Sequence, residues 1–211
     1  MTANTLRIQK LSLVGGRLCL DFTNTVSWRG AENPRDLLQS YEDLVTWGVR
    51  ADLLDSTSAG ALLARASSEA QAAELALAKA KALRESIAGI YDAVASGGNP
   101  KDDDLSRLTT FVRDAFSRVQ LCRSESGYDI RFERAGALDQ LLPPIAWSAA
   151  ELLRDPALTR VKCCSGRTCG WLFVDSSKNH SRRWCEMKDC GNREKARRHY
   201  HKTRIQGTGA T

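Results

Sequence analysis

Cys164-x4-Cys169 and Cys185-x4-Cys190 are two equally spaced cysteine pairs separated by 15 residues, and no other feature limits the fold as strongly. Each short loop lets two thiolates converge on one ion, and the longer excursion returns the second pair from the opposite side. The pattern predicts one four-sulfur Zn²⁺ site per chain with Zn–S distances near ~2.3 Å. Such a site is closed and therefore structural, because catalysis needs an open coordination position. Free buried cysteines are the alternative reading. Cys163 could stand in for Cys164, but only Cys164 reproduces the spacing of the second pair. His180, His199 and His201 are substitutes that a complete four-thiolate shell does not need.

Seven cysteines in all, five of them between 163 and 190, make an odd and uneven set. The start, MTANTLRIQKLSLVGG, has no long apolar stretch of the signal-peptide kind, and no apolar run approaches the roughly 18 residues of a membrane span. Reduced thiols in a reducing compartment fit this better than a disulfide scaffold, so a cytoplasmic location without membrane contact is expected. Cys19 and Cys122 fall in expected strands and read as small core residues.

Charge divides the chain at the same place as the cysteines. Residues 160–204 carry 13 Lys and Arg against four Asp and Glu, net +9, while the remainder carries 18 against 21, net −3. A basic terminal module on a mildly acidic body is the pattern expected of a protein that meets polyanions. With 42% hydrophobic and 27% charged residues the body has enough apolar material for a core, which excludes a disordered chain.

Along that body, Leu18, Leu20 and Phe22 alternate with Cys19 and Asp21 after Gly15-Gly16 and predict a short strand or hairpin. Leu37, Tyr41, Leu44 and Trp47 have helical spacing, with Gly48 as the expected stop. The alanine-rich stretch from Ser67 to Gly98 predicts a long helix with Leu83, Ile87, Ile90 and Val94 as its apolar stripe. Leu105, Leu108, Val112 and Phe116, behind the acidic turn Asp102–Asp104, predict another. Two alternating runs around Ser126-Gly127 suggest a hairpin, and the helix from Ala137 to Asp155 is expected to kink at Pro143-Pro144. The expected fold is α+β: a mainly helical domain over 1–155 with a few short strands, able to fold alone, then a small treble-type finger over 156–205, two knuckles followed by a helix. Residues 206–211 read as a flexible tail.

"CGWLF", "SRRWC" and "CGNR" at Cys190–Arg193 resemble the CGNR zinc-finger family over about 45 residues. "GGRLCLDFTNT" at Gly15–Thr25 is similar to the start of the domain that accompanies this finger, described as a putative stress-induced transcription regulator. The resemblance implies a bacterial transcription regulator whose finger binds DNA, and it supplies no catalytic residues. One departure is Cys163, where a basic or polar residue is expected; it leaves open a redox-sensitive fifth thiol.

The residues themselves point the same way. Gly191 offers a tight turn that aims N–H groups at sulfur, and Asn192 an N-cap for the helix that follows. Ala196 and Tyr200 would be that helix's apolar face, laid near Trp171 or Trp184. Arg193, Lys195, Arg197, Arg198, Lys202 and Arg204 on the helix, joined by Arg182 and Arg183, are the candidate nucleic-acid contacts, with Arg193, Arg197 and Arg198 the candidates for base edges. Some cations, Arg167 and Lys188 among them, would instead offset the −2 charge of four thiolates on Zn²⁺. A solvated basic tail is the alternative. RNA stacking on Trp171, Phe173, Trp184 and Tyr200, or docking to RNA polymerase, are alternative partner readings.

Before His180 the chain has no histidine, no phosphate-binding glycine loop and no HExxH pattern, so an enzyme is not expected. Asp21 and Asn24 in an apolar segment, followed by Trp28 and Arg29, are read either as turn caps or as the wall of a pocket for an unidentified small-molecule effector. A homodimer is a further expectation for the body.

Overall fold

Helices dominate, each set where the local chemistry starts and stops it. The computed structural model describes residues 3–125, 127–133 and 136–207, with residues 3 and 201–207 described by backbone alone. The body begins with α1 (Ala3–Gln9), α2 (Leu18–Thr23) and a two-residue pair of strands, β1 (Val26–Ser27) and β2 (Arg35–Asp36). Then come α3 (Tyr41–Arg50), α4 (Ser56–Ser68), α5 (Ala70–Ala95) and α6 (Asp102–Ser117). The hairpin of β3 (Val119–Ser124) and β4 (Gly127–Phe132) leads to α7 (Leu142–Arg154).

Four expectations need correcting here. Residues 18–23 form a helix, not a strand: Cys19 to Thr23 are all buried, so the apparent alternation separates no inside from outside. A run this short cannot distinguish the two periods. Next, α3 starts later than its apolar spacing suggests, because the Ser40 side chain accepts from the Asp43 N–H while Asp43 accepts from the Ser40 N–H, a capping box. Gly48 lies inside α3, where a Cβ would meet the Leu141 side chain at 2.9 Å; its smallness serves packing, not termination. Finally, Pro143 and Pro144 open α7 instead of kinking it, since a first-turn proline gives up an N–H that would have no helical partner. The helix α4, capped by Asp55 through the Ser58 N–H, is an element that the sequence analysis did not mark. The 119–132 hairpin forms as expected; Ser126 lies outside the described residues.

The finger follows a 3₁₀ turn (Pro156–Arg160). Its strands β5 (Val161–Cys163) and β6 (Leu172–Val174) pair antiparallel. A π-helical turn (Met187–Gly191) then runs directly into α8 (Asn192–Gly207). The helix thus passes the expected tail boundary at 206, and the rest of that tail, 208–211, lies outside the described residues. Val161, Leu172 and Val174 belong to the same apolar core as Phe22, Trp47, Leu83 and Tyr91, so finger and body share packing. A second small cluster gathers the four paired cysteines around fully buried Phe173. Among the described residues no helix is long and apolar enough to cross a membrane.

Candidate metal centre and the basic helix

Cys164 directly follows β5 and Cys169 closes the knuckle before β6, while Cys185 precedes the π-helical turn and Cys190 lies within it. Their four Sγ atoms are buried and lie within 4.8 Å of one another. Cys185 Sγ is 3.6 Å from both Cys169 Sγ and Cys190 Sγ. Tetrahedral zinc with ~2.3 Å bonds needs sulfur–sulfur separations of ~3.8 Å, so these donors fit one closed, structural Zn²⁺. The protonation pattern agrees. Without a cation, Cys164 is drawn well below the ordinary thiol range by hydrogen bonds from Cys169 and Cys185, while those two are pushed up by donating to it. Cys164, Cys169 and Cys185 cannot all ionise together unless a positive charge sits among them.

The sulfurs have outer partners. Gly166 N and Cys185 N donate to Cys164 Sγ at 3.4 and 3.3 Å, and Arg193 Nη2 donates to Cys190 Sγ at 3.2 Å while also reaching Asp189. Such donors offset the net negative charge of a tetrathiolate centre and hold the ligands in place. Between the knuckles, buried Asp175 gathers the loop. It accepts from Lys162 Nζ at 2.6 Å, Ser177 Oγ at 2.6 Å and Arg182 N at 2.9 Å. Burial alone would raise this carboxyl, but these bonds hold it well below the usual carboxylate range. Asp175 was not singled out by sequence, because a lone Asp before two serines carries no long-range signal.

A segment of the body is docked along β6. Val174 N donates to Gly15 O at 2.9 Å, Trp171 Nε1 to Val26 O at 3.0 Å, and Arg29 N to Cys169 O at 3.1 Å. Buried Asn24 makes two bonds with one residue: Nδ2 donates to Leu172 O at 2.9 Å and Oδ1 accepts from Leu172 N at 3.0 Å. Asp21 Oδ1 accepts from Gly15 N at 2.8 Å and so braces the turn that receives Val174. Gly170, at φ +66°, allows the closest approach, since a Cβ there would meet Arg29 Cβ at 2.7 Å. The group singled out by sequence therefore builds a seam. Asp21 and Asn24 serve as caps and docking groups, whereas Trp28 and Arg29 open into two different clefts. Arg29 pairs with Glu85 at 2.7 Å, and Arg35 lies 4.8 Å above the Trp28 ring.

The candidate nucleic-acid contacts separate into three groups. Arg182 is used internally: it stacks 4.2 Å from the Phe173 ring and donates to the carbonyls of Val14, Trp184 and Cys185. Arg193 serves the centre, as described. Arg183, Lys195, Arg197 and Arg198 are exposed, with Arg197 and Arg198 gathered by Glu194 at 2.6 and 3.6 Å. The side chains of Lys202 and Arg204 lie outside the described set.

Two local expectations differ from what forms. Asn192 is not an N-cap: it has helical φ and ψ, and its Nδ2 donates to Lys188 O at 3.1 Å, because the helix is already continuous with the π-helical turn. Gly191 N likewise donates to Glu186 O, not to sulfur. Nor is α8 laid on the knuckle, for Ala196 and Tyr200 are exposed. Of the aromatics considered for stacking, Phe173 is fully buried and Trp171 and Trp184 are half-buried against the cysteine cluster.

Comparison with known families completes this picture. Residues 16–156 match the family described as Putative stress-induced transcription regulator (ABATE), and residues 160–203 match the CGNR zinc finger. No curated protein matches the chain. The first match spans more than half of the sequence, so the chain belongs to the ABATE family and carries a CGNR zinc finger at its C-terminal side. Neither family is described as an enzyme family.

Proposed function

We propose, with membership of this family as the premise, that the chain is a zinc-dependent DNA-binding transcription regulator. The finger holds the basic helix on a rigid root, and the helix lays its cations along the phosphate backbone. One observation carries this reading. From Asn192 to Tyr200 no side chain of α8 is buried, although the helix starts from the metal centre itself. A helix that is polar all round gains nothing from its own protein's core, so its stability and its charge call for a partner outside it. Lys195, Arg197 and Arg198, with Arg183 and Arg167 exposed on the finger, provide the positive surface that a polyanion needs. Trp171, Phe173 and Trp184 are spent on packing and Tyr200 alone of the four is exposed, which favours a duplex backbone over splayed bases as the ligand.

The test is the affinity of the zinc-loaded chain for a random-sequence duplex DNA pool, measured between about 50 and 200 mM salt. A steep fall in affinity is expected, as counterion release requires for several phosphate contacts. Lys195→Ala should flatten the slope by about one unit for all sequences alike. Arg197→Ala should in addition relax any sequence preference by ~1–3 kcal/mol if the guanidinium reaches a guanine edge. Absence of salt-dependent duplex binding by intact protein overturns the reading, and binding to single-stranded RNA alone would transfer the helix to that partner.

A further inference from the structure

The β3–β4 hairpin leaves one face and one edge uncovered. Register pairs Val119 with Phe132, Leu121 with Ile130 and Arg123 with Tyr128, so these six share a face. Only its base is packed: the Phe132 ring meets Trp147 at 6.1 Å, and Phe116 meets the same ring at 5.0 Å. Further out, Leu121 is 75% exposed, Tyr128 74% and Ile130 43%. Two strands alone in water are marginally stable.

The free edge belongs to β4. Glu133 N donates to Arg118 O at 2.8 Å, so the odd-numbered residues of this strand turn their backbone groups toward β3. By the two-residue alternation, Tyr128, Ile130 and Phe132 turn theirs outward, and no further strand pairs with β4 among the described residues. The strand also borders an open cleft of about 620 Å³ whose far wall includes Leu53, Leu54 and Leu141.

We propose that β4 pairs antiparallel with β4 of a second copy of this chain, about a two-fold axis at Ile130, giving a four-stranded sheet. The sequence of the strand, GYDIRF, is self-complementary in this register. Ile130 faces the partner's Ile130, and Tyr128 faces the partner's Phe132, both as hydrogen-bonded pairs that use the outward groups. Asp129 then faces the partner's Arg131, and Arg131 the partner's Asp129, at the closer non-hydrogen-bonded positions. Among the described residues neither Asp129 nor Arg131 has an ion-pair partner within the chain. Neighbouring registers fail: an axis at residue 129 sets Asp against Asp, and one at 131 sets Arg against Arg. The edge of β3 fails as well, since an axis at Leu121 sets Val119 against Arg123. The partner's Tyr128 would also extend the Phe132–Trp147–Phe116 ring cluster over the exposed face.

The experiment is the mass of the full chain in solution by light scattering after size exclusion, between about 1 and 100 µM and without nucleic acid. A particle of twice the 23.3 kDa chain mass is expected. Ile130→Pro removes an outward N–H while sparing the bonds to β3, and should yield the single chain mass with unchanged circular dichroism. Asp129→Arg places like charges opposite each other twice and should weaken the dimer about 10-fold or more. Adding Arg131→Asp to that variant restores two opposite pairs and should restore the dimer. A single-chain mass at every concentration overturns the proposal. So does a dimer indifferent to both Asp129→Arg and Ile130→Pro, or a folded double variant that stays monomeric. Should Ile130→Pro disturb the fold, the charge reversal and its rescue decide alone. Because no nucleic acid is present, the outcome is separate from that of the DNA-binding reading.

Discussion

Phe22, Trp47 and Tyr91 lie fully buried in the body within a core to which each of the body's long helices contributes, whereas the finger's own cluster has Phe173 and four sulfurs. The body can offset the conformational entropy of its chain by apolar burial. A module of about 45 residues cannot, and the metal takes the place of the missing core. The comparison also shows where the two meet. Leu172 and Val174 face the body's core while Phe173, one residue away, faces the metal cluster, so β6 belongs to both regions through the alternation of a strand. The finger is therefore metal-built but seated on a prepared surface.

The largest effect that would sharpen this contrast is metal removal, since structural zinc contributes ~10–16 kcal/mol in small modules at neutral pH. Chelation, or Cys185→Ser, should take zinc content from one per chain to none and open residues 175–200 to protease, while most of the helical circular dichroism survives. Simultaneous loss of the body's helix signal would break the contrast and make the two one cooperative unit.

Next in size is a change confined to the body. Arg84 is 3% exposed and is held by Asp36 through two bonds of 2.6 and 2.9 Å. Asp36→Ala removes both bonds and leaves the buried guanidinium to Glu85 and Thr25, and should cost ~3 kcal/mol in thermal or denaturant unfolding. Zinc stoichiometry should stay at one, and a lost metal would show that the body dictates the finger.

Two smaller tests address the seam. Burial pushes the Asp21 carboxyl up to about 6, although the Gly15 N–H and Arg50 oppose the rise. Between pH ~4 and ~6 the folded protein then keeps a proton that the unfolded chain releases, so this group's contribution to stability falls as pH rises through that window. The fall approaches ~3 kcal/mol. Other carboxyls, Asp36 and Asp139 among them, are lowered and act in the opposite direction, so the comparison is wild type against Asp21→Asn, whose curve should lack this component. Asn24→Ala leaves the Leu172 N–H and carbonyl buried without partners and should cost ~1–3 kcal/mol. If seam and finger are coupled, faster zinc loss to a chelator accompanies it; an unchanged rate would separate them.

How far the sequence carries differs between these regions for a physical reason. The cysteine spacing alone placed four ligands that do converge, because metal coordination demands specific side chains at short, regular separations. The long helices Ala70–Ala95 and Asp102–Ser117 were legible from apolar periodicity, and the hairpin at 119–132 from alternation and its turn. The segment at 18–23 was not, since a run of six residues buried on all sides has no period to read. Asp21 and Asn24 stood out as polar residues among apolar ones, but their partners, Gly15 and Leu172, are chosen by tertiary contact over as many as 148 residues.

The amino-acid order by itself determined the metal centre, the charge asymmetry and the helical class of the body, all of them properties of composition and short-range spacing. Tertiary structure alone decided which cations stay available. Arg182 is locked over Phe173 and Arg193 is drawn to Cys190 Sγ, while Lys195 stands in solvent. Arginines that look alike in sequence are sorted by what lies within hydrogen-bond reach once the chain closes, and no local pattern encodes that distance.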